Sequence, residues 1–158
     1  MRFFKLGKQN NSGIFAITNG QSIPLEQVPD KAFSQGILGK GVGIIPKSHK
    51  ILAPADGEIS TIFDTLHAFS MTTNKGVEVL VHIGLDTVKL NGQGFKSSIK
   101  AGDKVKKGDL IIEADFALIQ QKGYKIVTPV VILNSDNYPN MSFKYGEVII
   151  GDEIIALE

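Results

Sequence analysis

The chain has no cysteine and no tryptophan, and Arg2 is the single arginine among 17 basic residues. Each absence removes a class of function. Without thiols there is no cysteine nucleophile, no thiolate-bound zinc and no disulfide framework, and the composition fits a reducing compartment, the cytoplasm. With one guanidinium near the N-terminus, forked recognition of phosphate or guanine is not available to the body of the chain. Seventeen basic against 16 acidic residues leave a net charge of +1, which gives no overall field to gather nucleic acid. No apolar run approaches the roughly 20 residues that a membrane-spanning helix needs. The opening Met1-Arg2-Phe3-Phe4-Lys5-Leu6 is too short and too charged for a secretory signal. Phe3, Phe4 and Leu6 beside Arg2, Lys5 and Lys8 suit weak contact with an anionic membrane surface. Residues 1–13 read as a flexible tail that ends in the polar Gln9-Asn10-Asn11-Ser12-Gly13.

What is present is a globular composition: 158 residues, 42% hydrophobic and 21% charged, enough for a single domain over residues 14–158 whose core needs no covalent staple. Glycine is abundant, at 17 residues, and separates short β-branched runs. Strands are expected over Gly41–Ile45, Gly57–Phe63, Val77–Ile83, Ile126–Leu133 and Glu153–Leu157. Helix is sparse. Asp115 is placed to cap Phe116 to Lys122 with Gly123 as the stop, and a short turn of helix is expected around Asp30–Gln35.

An internal repeat organises these elements. Val105-Lys106-Lys107-Gly108-Asp109-Leu110-Ile111-Ile112 and Val148-Ile149-Ile150-Gly151-Asp152-Glu153-Ile154-Ile155 share the pattern V-x-x-G-D-x-I-I, read as two hairpins with glycine at a positive-φ turn position. Upstream, Ala53-Pro54-Ala55-Asp56-Gly57 is weakly echoed by Ala16-Ile17-Thr18-Asn19-Gly20. The expected fold is all-β, an antiparallel sandwich or flattened barrel of two similar β units around one core, with one or two short helices.

Three histidines, His49, His67 and His82, carry the reactive chemistry. His49 lies in a polar turn between Lys47 and Lys50 and reads as solvated. His82 ends the apolar strand Val77-Glu78-Val79-Leu80-Val81-His82. It is either a core imidazole bonded to a carbonyl or, with Gly84 clearing space beside it, a ring that a partner approaches. His67 is seven residues before Asn74 and His82 seven after Lys75, so a hairpin turning at Thr73-Asn74-Lys75-Gly76 sets the two imidazoles on facing or diagonal positions. Such a pair is half a metal site or a phosphoryl relay. A hydrolytic zinc centre needs a third ligand, and Leu80 stands where an H-x-H motif would have its first histidine.

The blocks Val28-Pro29-Asp30 with Phe33, Gly39-Lys40-Gly41 leading to Ile45-Pro46, Ala53-Pro54-x-x-Gly57, His67-Ala68-Phe69-Ser70, Val81-His82-Ile83-Gly84-Leu85-Asp86-Thr87-Val88, Gly92-x-Gly94-Phe95 and Thr128-Pro129-Val130-Val131 resemble a known family. They are similar, in content and spacing, to the glucose-type IIA components of the bacterial phosphoenolpyruvate-dependent sugar phosphotransferase system, over Ile23 to Leu157. The resemblance implies the family's duplicated hybrid motif and a phosphocarrier function. A phosphoryl group would arrive from the histidine-phosphorylated carrier HPr and leave to a cysteine on the IIB domain of a sugar permease. His82 maps onto the phosphorylated histidine and His67 onto the second active-site histidine. Thr65, two residues before His67, is expected as a further hydrogen-bond donor to the phosphoryl group. Phe33, Ile37, Phe63, Leu80 and Val88 map onto an apolar partner-binding rim, and Asp30 and Asp86 onto acidic positions at its edge. The chain departs from the family in its first Ala-Pro-x-x-Gly element, degraded to Ala16-Ile17-Thr18-Asn19-Gly20. Its beginning at Met1, with no permease or linker following, fits a free-standing protein.

No cofactor is expected to be required, although the resemblance leaves room for a zinc ion shared by His67, His82 and a partner carboxylate. Competing readings are a zinc endopeptidase with a similar β architecture and a purely regulatory module that binds metabolic enzymes or permeases. Missing H-x-H and a missing export signal count against the first. A biotinyl- or lipoyl-like carrier is suggested by the V-x-x-G-D stretches, but no Met-Lys-Met tip is present.

Overall fold

The computed structural model describes residues 13–157, so the expected tail and its membrane contacts lie outside the described residues, apart from Gly13, which is buried. Strands occupy Ile14–Phe15 (β1), Gly20–Pro24 (β2), Lys40–Pro46 (β3), Lys50–Leu52 (β4), Gly57–Ile62 (β5), Ala68–Thr73 (β6) and Glu78–His82 (β7). They continue with Phe95–Lys96 (β8), Lys104–Val105 (β9), Leu110–Ala114 (β10), Thr128–Ile132 (β11), Ser142–Phe143 (β12), Gly146–Val148 (β13) and Glu153–Ala156 (β14). Two short α-helices span Lys31–Ser34 (α1) and Phe116–Gln121 (α2). Asp115 caps α2 as expected, its carboxylate accepting from Leu118 N, and the Asp30 carboxylate caps α1 by accepting from Ala32 N. No helix among the described residues is long and apolar enough to cross a membrane.

The strands form an antiparallel sandwich. An eight-stranded sheet of order β13-β2-β3-β11-β7-β6-β5-β9 is faced by two three-stranded sheets, β1-β14-β12 and β4-β10-β8. Period-two alternation decides which side chains meet. Val79 and Val81 of β7, Phe69 and Met71 of β6, and Val130 and Ile132 of β11 all enter one core with Ile111, Ile112, Ile154 and Ile155 of the small sheets. Val131, pointing the other way, joins Leu25, Val28, Phe33, Leu85 and Val127 in a second, smaller cluster on the outer face of the large sheet. That outer cluster, covered by α1, is the ground on which the histidines stand.

The repeat is real, but its two copies are not hairpins. The first joins β9, which pairs with β5 in the large sheet, to β10, which pairs with β4 and β8. The second joins β13, paired with β2, to β14, paired with β1 and β12. Each is therefore a corner between sheets. The physical reason is that the partners of the flanking backbone come from the upstream Ala-x-x-x-Gly elements. Gly108 N donates to Ala53 O and Ala53 N to Asp109 O, at 2.9 and 2.8 Å, while Ala16 N donates to Asp152 O at 2.9 Å. The degraded echo is preserved in detail: Asp56 Oδ1 accepts from Lys107 N and Asn19 Oδ1 from Ile150 N, both at 2.8 Å. Gly57 and Gly20 close the equivalence. A Cβ there would lie 2.3 Å from Thr72 O and 2.2 Å from Ile45 O, so only glycine lets these strands approach.

Each corner is a four-residue turn with a positive-φ glycine third and an aspartate fourth, the sequence requirement of a type II turn. The aspartate locks it: Asp109 Oδ2 accepts from Lys106 N and Asp152 Oδ2 from Ile149 N, both at 2.9 Å. A third copy, Lys100-Ala101-Gly102-Asp103, has the same bond from Lys100 N to Asp103 Oδ2 at 2.9 Å.

Candidate functional site

His82 is the last residue of β7, and His67 stands immediately before β6. Their strands do form the expected hairpin, shifted by one residue: Ala68, not His67, is opposite His82. The turn explains the shift. Thr73 N donates to Val77 O, and Gly76, at φ +89°, makes the loop three residues long, Asn74-Lys75-Gly76, with Gly76 N bonded to Thr73 O. In this register strict alternation would send the His67 ring to the other face. It does not, because strand geometry ends before it: Leu66 has φ +60° and its N–H donates to Phe63 O at 2.7 Å, in a tight turn that re-aims the next side chain. Ala68, opposite His82, offers only a methyl group and leaves room for the ring.

The two imidazoles meet edge to face, centroids 5.0 Å apart and planes at 82°. His82 Nδ1 lies 2.7 Å from Gly84 O. A carbonyl only accepts, so Nδ1 carries the proton and Nε2 keeps its lone pair. His67 Nδ1 lies 2.6 Å from Thr65 Oγ1. When the hydroxyl donates there, His67 Nε2 carries a hydrogen and is a donor. Burial holds both rings neutral at pH 7. The pKa of His67, which is 5% exposed, is pushed down to about 4 by desolvation and by the neighbouring His82. That of His82 is also lowered by burial, against the opposing pull of the Gly84 bond and of the Asp30 and Asp86 carboxylates.

This arrangement carries a stability prediction. A histidine whose folded pKa lies below its unfolded 6.5 favours the folded state only while both states are neutral. As pH falls through the window from about 6.5 to about 4, the unfolded chain takes up protons that the native His67 refuses, and stability falls. Urea unfolding midpoints are expected to drop between pH 7 and pH 4.5, and less steeply in His67→Gln. An equal slope in that variant would mean that other groups carry the effect.

The expected rim residues surround this pair unequally. Phe33, on α1, is not an open rim residue: it is 5% exposed, belongs to the outer cluster, and sets its ring 5.1 Å from that of His82. It is buried because α1 needs an apolar anchor on the sheet, and the same contact fixes the His82 ring. Phe63 is 42% exposed with its ring 5.2 Å from that of His67. Ile37 and Val88 are open to solvent, at 69% and 46%, and Leu80 is half-buried against the outer cluster. Asp30 caps α1, and Asp86 takes a left-handed conformation at φ +60° just after Gly84. His49 is elsewhere, 3.9 Å from Glu113 in a groove of about 730 Å³ between the β3–β4 turn and α2. Sequence reasoning missed the buried hydroxyls of Thr87 and Thr128, which hold the chain beside Gly84. Their only signal was membership in the quoted Asp86-Thr87-Val88 and Thr128-Pro129 blocks.

His67 and His82 do not by themselves fit a resident metal. Among the described residues no group of three or more histidine, cysteine, aspartate or glutamate side chains is placed to hold one.

Residues 12–138 match a family described as phosphoenolpyruvate-dependent sugar phosphotransferase system, EIIA 1. The chain is 44% identical over 151 residues to the glucose-specific EIIA component of Haemophilus influenzae, covering 94% of this chain and 91% of that protein. It is 46% identical over 142 residues to the glucose-specific EIIA component of Buchnera aphidicola, covering 90% and 88%. A glucose-specific EIICBA component of Staphylococcus saprophyticus is 47% identical over 124 residues, 78% of this chain but 18% of that longer protein. Among solved structures, glucose permease IIA from Mycoplasma capricolum superposes with a TM-score of 0.88 at 36% identity, over 100% of both chains. With its fold, its family match and its relatives in agreement, the chain belongs to the EIIA 1 family of the phosphoenolpyruvate-dependent sugar phosphotransferase system.

Proposed function

We propose that this chain carries a phosphoryl group on His82, taking it from phosphorylated HPr and giving it to a cysteine on the IIB domain of a glucose-type permease. The observation that carries the reading is the 2.7 Å contact of His82 Nδ1 with Gly84 O: a carbonyl only accepts, so the bond assigns the ring proton to Nδ1 and leaves the Nε2 lone pair for phosphorus. In the first step the Nε2 lone pair forms an N–P bond while the bond from phosphorus to the donor imidazole breaks, and its electron pair leaves with the donor nitrogen. The His82 ring, still protonated at Nδ1, becomes a cation that Gly84 O and the Asp30 and Asp86 carboxylates stabilise. In the second step a thiolate attacks phosphorus and His82 departs as a neutral imidazole, a better leaving group than an imidazolate. His67 Nε2–H is a donor to the phosphoryl oxygens in both steps, and Thr65, whose one hydroxyl proton goes to His67 Nδ1, orients that ring instead of donating to the phosphoryl group directly as expected. No covalent step needs a metal. A zinc ion would find two imidazoles here and would need its remaining ligands from a partner.

The surroundings suit transient docking. Exposed Ile37, Phe63 and Val88 with half-buried Leu80 supply apolar contact, and Asp30 and Asp86 attract a partner with basic residues. Such a cycle belongs in the cytoplasm, where regulated enzymes or permeases are further candidates for the same surface.

Intact mass before and after incubation with phosphoenolpyruvate, enzyme I and HPr tests the reading. One acid-labile phosphoryl group, mapped to the His82 peptide under non-acidic conditions, is the expected result. No gain with active upstream proteins overturns it.

A further inference from the structure

The peptide group joining Ile83 to Gly84 is held at both ends by buried side-chain hydroxyls. Thr87 Oγ1 donates to Ile83 O at 2.6 Å, and Gly84 N donates to Thr128 Oγ1 at 3.4 Å. Thr128 Oγ1 in turn donates to Ile126 O at 2.9 Å, so its hydrogen is committed and a lone pair faces Gly84. Both threonines have no solvent exposure. The next peptide, Gly84 to Leu85, is gripped as well: Leu85 N donates to Lys125 O at 3.0 Å, and Gly84 O accepts from His82 Nδ1. A continuous path therefore runs from Lys125 O through the Leu85 N–H and Gly84 C=O to the His82 ring.

We infer that Thr87 and Thr128 are positioning residues for the phosphoryl-accepting histidine: together they fix the Ile83–Gly84 peptide, the base from which the Gly84–Leu85 peptide, held by Lys125 O, aims Gly84 O at His82 Nδ1. Their hydroxyls bond to backbone, not to the imidazole. They come from different parts of the chain, a 3₁₀ turn just after the histidine and the start of β11, 41 residues beyond Thr87. A hydroxyl at each position serves no capping role: the cap of the 3₁₀ turn is Asp86, and the ladder bonds of β11 are made by backbone. With both in place and Leu85 N bonded to Lys125 O, the Gly84 carbonyl is held from both sides, and within the polarised path it is a stronger acceptor than an isolated carbonyl. The consequence is a single tautomer. A looser carbonyl would let the proton exchange to Nε2, and that fraction of His82 would have no lone pair for phosphorus.

The inference rests on His82 being the phosphoryl acceptor only for its effect on rate. Its first readout is independent of any phosphoryl donor. Long-range ¹H–¹⁵N spectra of the histidine rings at pH 7.5 are expected to show His82 wholly as the Nδ1–H tautomer in the native protein. Thr87→Val and Thr128→Val, which keep side-chain shape and lose the hydroxyl, are expected to show the Nε2–H form beside it. Transfer from phospho-HPr in a single turnover is expected to slow about tenfold in each, with recovery in Thr87→Ser and Thr128→Ser. Folded valine variants with an unchanged His82 tautomer and unchanged rate would overturn the inference. If Thr87→Val does not fold, Thr128→Val decides. If native His82 takes up no phosphoryl group, the carrier reading fails, and the tautomer spectra still judge the role of the threonines.

Discussion

Gly84→Ala is expected to be among the most damaging single changes in the protein, costing about 3 kcal/mol of stability and slowing phosphoryl uptake by His82 more than tenfold. Two effects add. Gly84 has φ +74°, where an L side chain pays roughly 1–2 kcal/mol. A Cβ would also lie 2.7 Å from Thr87 Cγ2 and 2.8 Å from Lys125 O, and backbone oxygen cannot rotate away. Relief of that overlap must move the chain, at a typical cost of about 1–3 kcal/mol. The movement falls on the carbonyl that holds the His82 proton, so stability and chemistry fail together. Gly102→Ala is the matched control: it has φ +92°, but a Cβ there meets nothing within 4 Å. Urea unfolding and single-turnover transfer should show Gly102→Ala losing only the backbone part of the stability and none of the rate. If the two variants behaved alike, packing around Gly84 would have no special part in the site.

The same contrast shows what could be read from the sequence. Glycines between β-branched runs, the capping Asp115 and the duplicated V-x-x-G-D stretch were enough to place the sandwich and the helix after Asp115, with a short turn expected around Asp30–Gln35. Pairing partners were not legible, because a strand's own residues do not say which sheet it joins. Val105 and Leu110 are separated by a turn that any hairpin would accept, and only the Ala53 backbone and the Asp56 carboxylate reveal a corner. The Lys100-Ala101-Gly102-Asp103 turn is less legible because Ile99 and Val105 stand where the other two copies have valine and isoleucine and Lys106 replaces the second isoleucine, although Gly102 and Asp103 repeat the same lock.

In the site, the histidine pair followed from hairpin counting despite a one-residue error in register. Residues count equally from either side of a turn only if the loop is symmetric, and Gly76 adds a third loop residue on one side. The compensating feature, Leu66 at φ +60°, leaves no trace in sequence, for leucine has no preference for that region. Phe33 illustrates the converse: apolar residues of a docking rim and of a core share one alphabet, and only burial separates Phe33 from Ile37.

His67→Ala is expected to leave uptake of the phosphoryl group by His82 within about tenfold of native while slowing its delivery to the IIB cysteine by about a hundredfold or more. The asymmetry follows from charge. During uptake the attacking group is a neutral imidazole, and the donor protein contributes its own surroundings to the phosphoryl oxygens. During delivery the attacking group is a thiolate, an anion approaching a phosphoryl group that already carries close to two negative charges. Neutralising donors matter more in that step, since no arginine stands among the described residues. In the proposed cycle His67 is that donor, placed edge to face with His82 and held by Thr65 Oγ1 at 2.6 Å. Thr65→Val should follow the same direction with a smaller effect, because the ring remains but its Nε2–H is no longer enforced. Rapid-quench measurement of the two half-reactions separates them. Equal slowing of both would place the loss in the geometry of the His82 ring, and an unchanged delivery rate would remove His67 from the chemistry.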